Sequence, residues 1–276
     1  MGRYVSGRHA QEFVLGGFAA YGALWVGVES IGAFFLSLRP EGLGWYGALV
    51  ASAVAGGVWR AWPTRRIEFP IPGSDSSFEI RCGDVFEGAG VAVIPVNEYF
   101  DGELGDHVSE ESLHGRFIKD VLAGQAKTFA DLTSEALAGV TPEERGVRRP
   151  SGRRDRYAIG TVARVDLNER RYLLVVLSRT DPVTLKAFAT VQDLWTCFAG
   201  MWKGVRQYSN GRSVRIPLVG AGLSGTGLPP ANLIEIMVTS FLCSTKERKV
   251  ADRVTLVLRP GVARSVDLNS IKGSWT

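Results

Sequence analysis

The chain has 276 residues, of which 45% are hydrophobic and 22% charged, a balance that excludes wholesale disorder and a collagen-like fibre. Three cysteines (Cys82, Cys197, Cys243) with no CxxC pair, and only three histidines, exclude a disulfide scaffold and a zinc site of ordinary spacing. No metal is therefore expected, and the thiols read as small buried hydrophobes in a reducing compartment. The net charge of +4 sits mostly in residues 1–66, where six arginines face three glutamates; the near-neutral remainder argues against nucleic acid as a partner.

From Phe13 to Leu38 the only charged residue is Glu29. As a helix this run would be about 39 Å long, enough to cross a hydrocarbon core of roughly 30 Å. A second uncharged run, Leu43 to Trp59, would extend about 25 Å, and Arg60 could snorkel to lengthen it. The breaker Arg39-Pro40-Glu41-Gly42 forces the two antiparallel, so residues 1–62 read as a two-helix transmembrane hairpin. A secretory signal would have a shorter apolar stretch and no second one. Arginines 3, 8, 60, 65 and 66 flank the hairpin on one side, which puts both termini in the cytoplasm, with the protein a multi-pass protein of the bacterial cell membrane. Trp45, Tyr46, Trp59 and Trp62 fall where an aromatic belt belongs.

On the second helix Gly47, Ala51 and Ala55 recur every four residues, as do Ala48, Ser52 and Gly56. Such rows let backbones approach closely in lipid, either within the hairpin or between subunits of a homo-oligomer. Glu29 is a costly intramembrane carboxylate, a candidate for assembly or pore lining unless it is protonated or bonded to Ser30 or a neighbouring helix.

Residues 63–77 read as a Pro/Gly/Ser-rich linker and 78–276 as one α/β domain. Phe78–Cys82 and Val91–Val96 are short β-rich runs. His107–Leu122 is expected to be helical with Ser109 and Ser112 as caps, and a further helix is expected around Thr128–Leu137. Thr141–Arg156 has no apolar period; with six arginines it reads as a solvated loop or a contact for phosphate or anionic lipid. Tyr157–Val165 and Arg171–Leu177 form a hairpin around Asp166–Arg170, the second strand apolar enough to be buried on both faces. A long helix is expected over Thr184–Tyr208, then a strand at Val214–Val219, a helix at Pro230–Lys246 and a strand at Val254–Leu258. Strands alternating with helices predict a three-layer α/β/α sandwich around a mixed sheet, with ligands at the carboxyl ends of the strands.

The run Gly220-Ala221-Gly222-Leu223-Ser224-Gly225-Thr226-Gly227 lies between a strand and a helix. Its glycines permit positive φ, so successive amides could line a concavity suited to a diphosphate. No Gly-Lys-Ser/Thr follows, which excludes a Walker loop. Asp84 follows the first strand, where an aspartate can accept hydrogen bonds from an adenine amino group. Asn97 ends the second, where an asparagine can bond a ribose.

The order strand-Gly83-Asp84-Val85, strand-Pro95-Val96-Asn97, a glycine-bearing loop and helix, and Ile216 to Gly227 before a helix resembles a macro domain over roughly Phe78 to Leu258. The resemblance implies that Asp84 recognises adenine with Val85 beside the ring, that Asn97 stands near the distal ribose, and that Gly220–Gly227 wrap the diphosphate. Two membrane helices before such a domain are similar to the macro-type effectors of bacterial type II Thoeris anti-phage defence. There a TIR-domain enzyme consumes NAD and makes an ADP-ribose-containing signal; the resemblance implies that this chain senses the signal, assembles and damages the lipid bilayer, with no bound cofactor of its own. Hydrolytic macro domains follow the strand with Asn-Ala-Ala-Asn, whereas this chain reads Asn97-Glu98-Tyr99-Phe100, so no catalytic residue is expected. Asp101, Glu103 and Asp106 are the remaining acids on that loop, and His107 and His114 read as core or capping residues. The alternatives are a membrane-tethered ADP-ribosyl hydrolase and a plain membrane adaptor.

Overall fold

The computed structural model describes residues 2–34, 43–61, 64–222 and 226–275, and it divides into two compact units, residues 1–64 and 65–276. The first unit is a pair of helices, α1 (Gly2–Phe34) and α2 (Leu43–Ala61). They run antiparallel: Arg60 Nε meets Glu12 Oε2 at 2.6 Å, and Gly16 and Gly57 of opposite helices lie within reach of Gly56 and Phe13. A Cβ at Gly16 would come 2.6 Å from the Gly56 carbonyl oxygen, and one at Gly57 2.7 Å from that of Phe13, so the backbones touch where side chains are missing. The breaker at 39–42 lies outside the described residues. Gly47, Ala51 and Ala55 form an exposed row on α2, facing away from α1, whereas Leu49 and Gly57 are buried. Glu29 is exposed on α1.

Among the described residues one stretch, Ala10–Ser30, is long and apolar enough to cross a bilayer, and hardly any of it is buried in the protein. The expectation was two such stretches. α2 has only 19 residues and carries Arg60 in its last turn, so its uncharged stretch is at the short end of a spanning length.

The second unit begins earlier than a linker ending at residue 77 would allow. Arg66–Pro70 is a strand, β1, because Ile67 and Phe69 alternate with polar neighbours and bury one face. It pairs antiparallel with β2 (Ser77–Cys82). The described strands form one mixed sheet in the order β1-β2-β8-β7-β3-β5-β4, where β3 is Val91–Asn97, β4 Val162–Leu167, β5 Arg170–Thr180, β7 Val214–Pro217 and β8 Arg253–Leu258; the two-residue β6 (Ala187–Phe188) pairs antiparallel with the end of β5. From β2 to β5 every pairing is parallel. β4 and β5 are joined by Asn168 and Glu169, both with left-handed φ (46° and 65°), as a tight two-residue turn requires. β5 is buried along almost its whole length, as its apolar run predicts.

Helices α5 (Val191–Tyr208) and α6 (Pro230–Glu247) cover one face of the sheet, and α3 (Leu113–Arg116), a π turn over Phe117–Val121 and α4 (Ala126–Ala136) cover the other. Phe78 packs on Phe241 of α6 and through it on Trp202 of α5, while Tyr172, on the opposite face, meets Phe117 of the π turn. Two short helices, α7 (Pro260–Ala263) and α8 (Leu268–Trp275), close the chain, with Trp275 stacked on Phe69. The three-layer sandwich expected from the sequence is the fold.

Two expected helices are shorter than predicted. His107–Leu122 is a loop to Ser112, which caps α3 by accepting the Gly115 amide, and the helix widens into the π turn after one turn. Ser109 lies over Gly115, whose absent Cβ would come 2.1 Å from the Ser109 carbonyl oxygen, so a straight helix through this segment is excluded. Thr184–Thr190 is not helical: Asp181 Oδ1 accepts from the amides of Val183 and Thr184 and turns the chain into β6. α5 starts only after a capping box, in which Thr190 and Asp193 bond each other's amides. Cys197 is buried as expected, whereas Cys243 is exposed because it falls on the outer side of α6.

Trp202 is fully buried, packed at a tilt against Phe241, and donates its indole N–H to Ser240 Oγ at 3.1 Å. Trp202→Ala should destabilise the second unit by about 3–5 kcal/mol through the cavity it leaves. Urea unfolding followed by circular dichroism checks this; a change below about 1 kcal/mol would mean that the two helices do not depend on that contact.

Candidate functional site

Five parallel strands must all end at the same edge of the sheet, and the loops that leave them there enclose a cavity of about 670 Å³. Its walls include Asp84 after β2, Asn97 at the end of β3, Ser178 of β5, Leu218 and Gly220 after β7 and Arg259 after β8. Asp84 and the glycine turn, 136 positions apart in sequence, thus face one space. Val85 and Ala221 and Gly222 line it as well.

Gly220 has φ +86°, and a Cβ there would come 2.9 Å from Leu194 Cδ2, so both the turn and the packing demand glycine. The turn is tightened internally: Ala221 donates to the Leu218 carbonyl oxygen at 3.4 Å and Thr226 to that of Gly220 at 3.3 Å. Those two amides are therefore turned inward rather than into the concavity. Thr226 and Gly227 are beyond the cavity lining, and Leu223, Ser224 and Gly225 lie outside the described residues.

Asp84 is half-buried and already doubly engaged. Its Oδ1 accepts the Phe86 amide at 3.1 Å and its Oδ2 accepts Arg116 Nη2 at 2.6 Å. Burial alone would raise its pKa, but the Arg116 and Phe86 hydrogen bonds and the guanidinium charge outweigh this and hold the carboxyl below the usual aspartate value. Arg116 was not foreseen. It comes from α3, lies over the Phe86 ring at 5.0 Å, and donates its Nε to Asp120 at 3.2 Å. Lys186 and Arg259 are two further cations on the wall, brought there by the β6 turn and the end of β8.

At the other end Asn97 is buried, and its amide is committed to Asp101. Asn97 Nδ2 donates to Asp101 Oδ2 at 3.0 Å and Asn97 Oδ1 accepts the Asp101 amide at 3.1 Å. Asp101 is not a solvated acid. Arg149 grips both of its oxygens at 3.0 and 2.9 Å, the Arg153 amide adds a third bond, and both side chains are 1% exposed or less. Arg149 also stacks on Tyr99 at 3.8 Å. The arginine-rich loop is thus not uniformly solvated: Arg149 pins it beneath the β3 loop, and a half-buried neighbour, Arg153, reaches Thr133 of α4 at 2.7 Å. No periodicity in that segment distinguishes Arg149 from the arginines beside it. Only its partner does.

His107 lines the cavity with its Nε2 2.9 Å from Ser151 Oγ. His114 is buried against Phe129, and burial pushes its pKa down to about 4 although Asp101 pulls the other way. It is a core residue, as the sequence suggested.

The sequence matches the family described as Thoeris protein ThsA, Macro domain, over residues 78–259. The Thoeris protein ThsA of Bacillus amyloliquefaciens (strain Y2) is 27% identical over 204 residues, which span 71% of this chain and 67% of that one. Among solved structures, the Oceanobacillus iheyensis macrodomain with ADP superposes at a TM-score of 0.52 with 16% identity, covering 76% of this chain and 96% of that one. A variant of the same macrodomain gives 0.53, 16% and coverage of 76% and 98%. The chain belongs to the ThsA macro-domain family of Thoeris defence, and its fold is that of macrodomains.

Two outcomes follow from the buried groups. Arg149→Ala strands a buried carboxylate and should cost about 3–5 kcal/mol, read as a lowered urea midpoint; an unchanged midpoint would show that water replaces the guanidinium. His114 stays neutral in the fold below pH 6.5, while the unfolded chain takes up a proton there. Stability is therefore full above pH 6.5 and falls as pH drops towards 4, by about 3 kcal/mol. Relative to wild type, His114→Leu should flatten that part of the stability profile, and identical slopes would refute the assignment.

Proposed function

We propose that this member of the ThsA macro-domain family is a membrane-anchored anti-phage effector whose second unit senses an ADP-ribose-containing nucleotide made from NAD. The observation that carries the reading is the cavity itself: Asp84 and Gly220–Gly222 line one space of about 670 Å³, within the range of small-ligand sites. Asp84 supplies an acceptor for an adenine amino group, the glycine turn approaches without side chains as a diphosphate requires, and Lys186 and Arg259 add positive charge to the wall. Asn97 lines the far wall, where the distal ribose belongs, and the buried Asp101–Arg149 pair holds it from behind. The O. iheyensis macrodomain of the same fold was solved with ADP, which fits this occupant.

The apolar stretch Ala10–Ser30 is the anchor, α2 folds back against it, and the flanking arginines put the nucleotide-binding unit in the cytoplasm at the bacterial cell membrane. The row Gly47, Ala51 and Ala55, left open by the hairpin, is where copies of the chain meet in the bilayer. The signal triggers assembly and membrane disruption by binding the assembled state more tightly than the resting one. A TIR-domain enzyme is the functional partner that supplies the signal. A tethered hydrolase fits less well: Asp101, the first acid after Asn97-Glu98-Tyr99-Phe100, is consumed by Arg149 and is not free to activate water.

Calorimetry on the full chain tests the sensor. Asp84→Ala and Gly222→Glu should each weaken ADP-ribose binding at least tenfold, the first by removing the acceptor and the second by placing a carboxylate beside the diphosphate. Unchanged affinity in both would put the ligand elsewhere. In dye-loaded vesicles carrying the protein, an NAD-derived signal should cause leakage that both variants lose.

A further inference from the structure

We propose that Arg145, Arg148 and Arg154 form a docking surface for the phosphates of anionic lipid headgroups. The inference rests on the membrane-anchored reading above and gives a role to a loop that the reading leaves unused.

Residues 143–156 hold six arginines and three acids, and they carry the whole positive excess of the second unit. Outside them its basic and acidic residues are equal in number. The fold uses three of the six arginines. Arg149 is buried on Asp101. Arg153 donates to Thr133 Oγ1 at 2.7 Å and to Ser134 Oγ at 3.4 Å. Arg156 pairs with Glu144 at 3.0 Å and Glu143 at 3.6 Å, which occupies two of the acids. The third acid, Asp155, accepts the Gly146 amide at 3.3 Å. Arg145, Arg148 and Arg154 are exposed, and among the described residues their side chains have neither an ion pair nor a hydrogen bond.

The loop that presents them is already ordered. Glu144 and Arg156 exchange backbone hydrogen bonds at 3.2 and 2.8 Å, and Val147 donates to the Arg154 carbonyl oxygen at 2.9 Å. With Arg149 fastening the segment to Asp101, little backbone entropy is left to lose on docking. A guanidinium is weakly hydrated and matches the geometry of a phosphate, so the fitting partner is a surface of phosphates. Nucleic acid offers the same group, but the balanced charge of the remaining surface gives it no continuous track. Lipid needs none: a chain held by Ala10–Ser30 keeps this loop near headgroups at high effective concentration, where three weak contacts suffice. The second unit is thereby attached to the inner leaflet at a point besides its tether.

The experiment places the full chain in vesicles of phosphatidylcholine and in vesicles of an equal mixture with phosphatidylglycerol, and follows hydrogen exchange by mass spectrometry. Amides of residues 143–156 should exchange at least threefold more slowly in the anionic vesicles. Those of residues 210–213, an exposed loop entering β7 at the opposite edge of the sheet, should exchange equally in both. Raised salt should remove the difference. The triple variant Arg145→Gln/Arg148→Gln/Arg154→Gln should lose it, and Arg145→Lys/Arg148→Lys/Arg154→Lys should keep at least half of it, because the charge remains. Neither triple variant removes a bond within the fold. A full chain that stays with neither kind of vesicle would overturn the anchor reading itself. A chain retained by both, with equal exchange of residues 143–156, would leave the anchor standing and overturn this proposal. Slowing that persists in the glutamine variant, or that extends equally to residues 210–213, would overturn it too. So would slowing in neutral vesicles on addition of inorganic phosphate or RNA with none from anionic lipid, since the phosphates would then come from solution.

Discussion

Parallel pairing is the constraint on which the site depends. From β2 through β8, β7 and β3 to β5 the strands run one way, so their following loops must emerge together. Asp84, Asn97, Gly220 and Arg259 are brought to one cavity by that requirement and by nothing local to any of them. The helices that return the chain between strands bury the two faces, and the cavity is what remains open at the edge.

Two aspartate–arginine pairs serve this cavity, one on its wall and one behind Asn97, and burial separates their roles. Asp101 and Arg149 are sealed, with side chains 1% exposed or less, and they join the β3 loop to a segment almost fifty residues later. A pair so deep is expensive to break because either partner alone would be a buried charge, so it works as a rivet. Asp84 and Arg116 sit at the wall, where water screens them and a pair is worth about 1 kcal/mol or less. The same two residue types thus make a sealed support behind Asn97 and a screened pair on the cavity wall.

The helical hairpin follows a different rule. Where α1 and α2 cross, the contact is made by Gly16, Gly56 and Gly57 with backbone carbonyls, and the only described ion pair between them, Glu12–Arg60, lies at the exposed end. Close backbone approach replaces side-chain interdigitation, which is the arrangement favoured when the surroundings are as apolar as the side chains.

Much of this was legible in the sequence because it is carried by local pattern. The alternation of strands and helices gave the layered architecture, the apolar run of β5 announced a central strand, and the positions of Asp84, Asn97 and the glycine turn at strand ends pointed to the same edge. The capping box Thr190–Asp193 marked the true start of α5, but helical periodicity through Thr184 masked it, and the Asp181-Pro182 turn that ends the preceding strand is the competing signal. β1 hid inside a proline- and glycine-rich stretch because five residues with two buried side chains make too short a pattern to stand out. What the tertiary structure alone decided is pairing: which arginine of six goes inside, that Arg116 meets Asp84, and which small residues of α2 face its partner helix. Charge and size are written in each residue, but a partner is chosen by distance across the fold, and no sequence spacing records it.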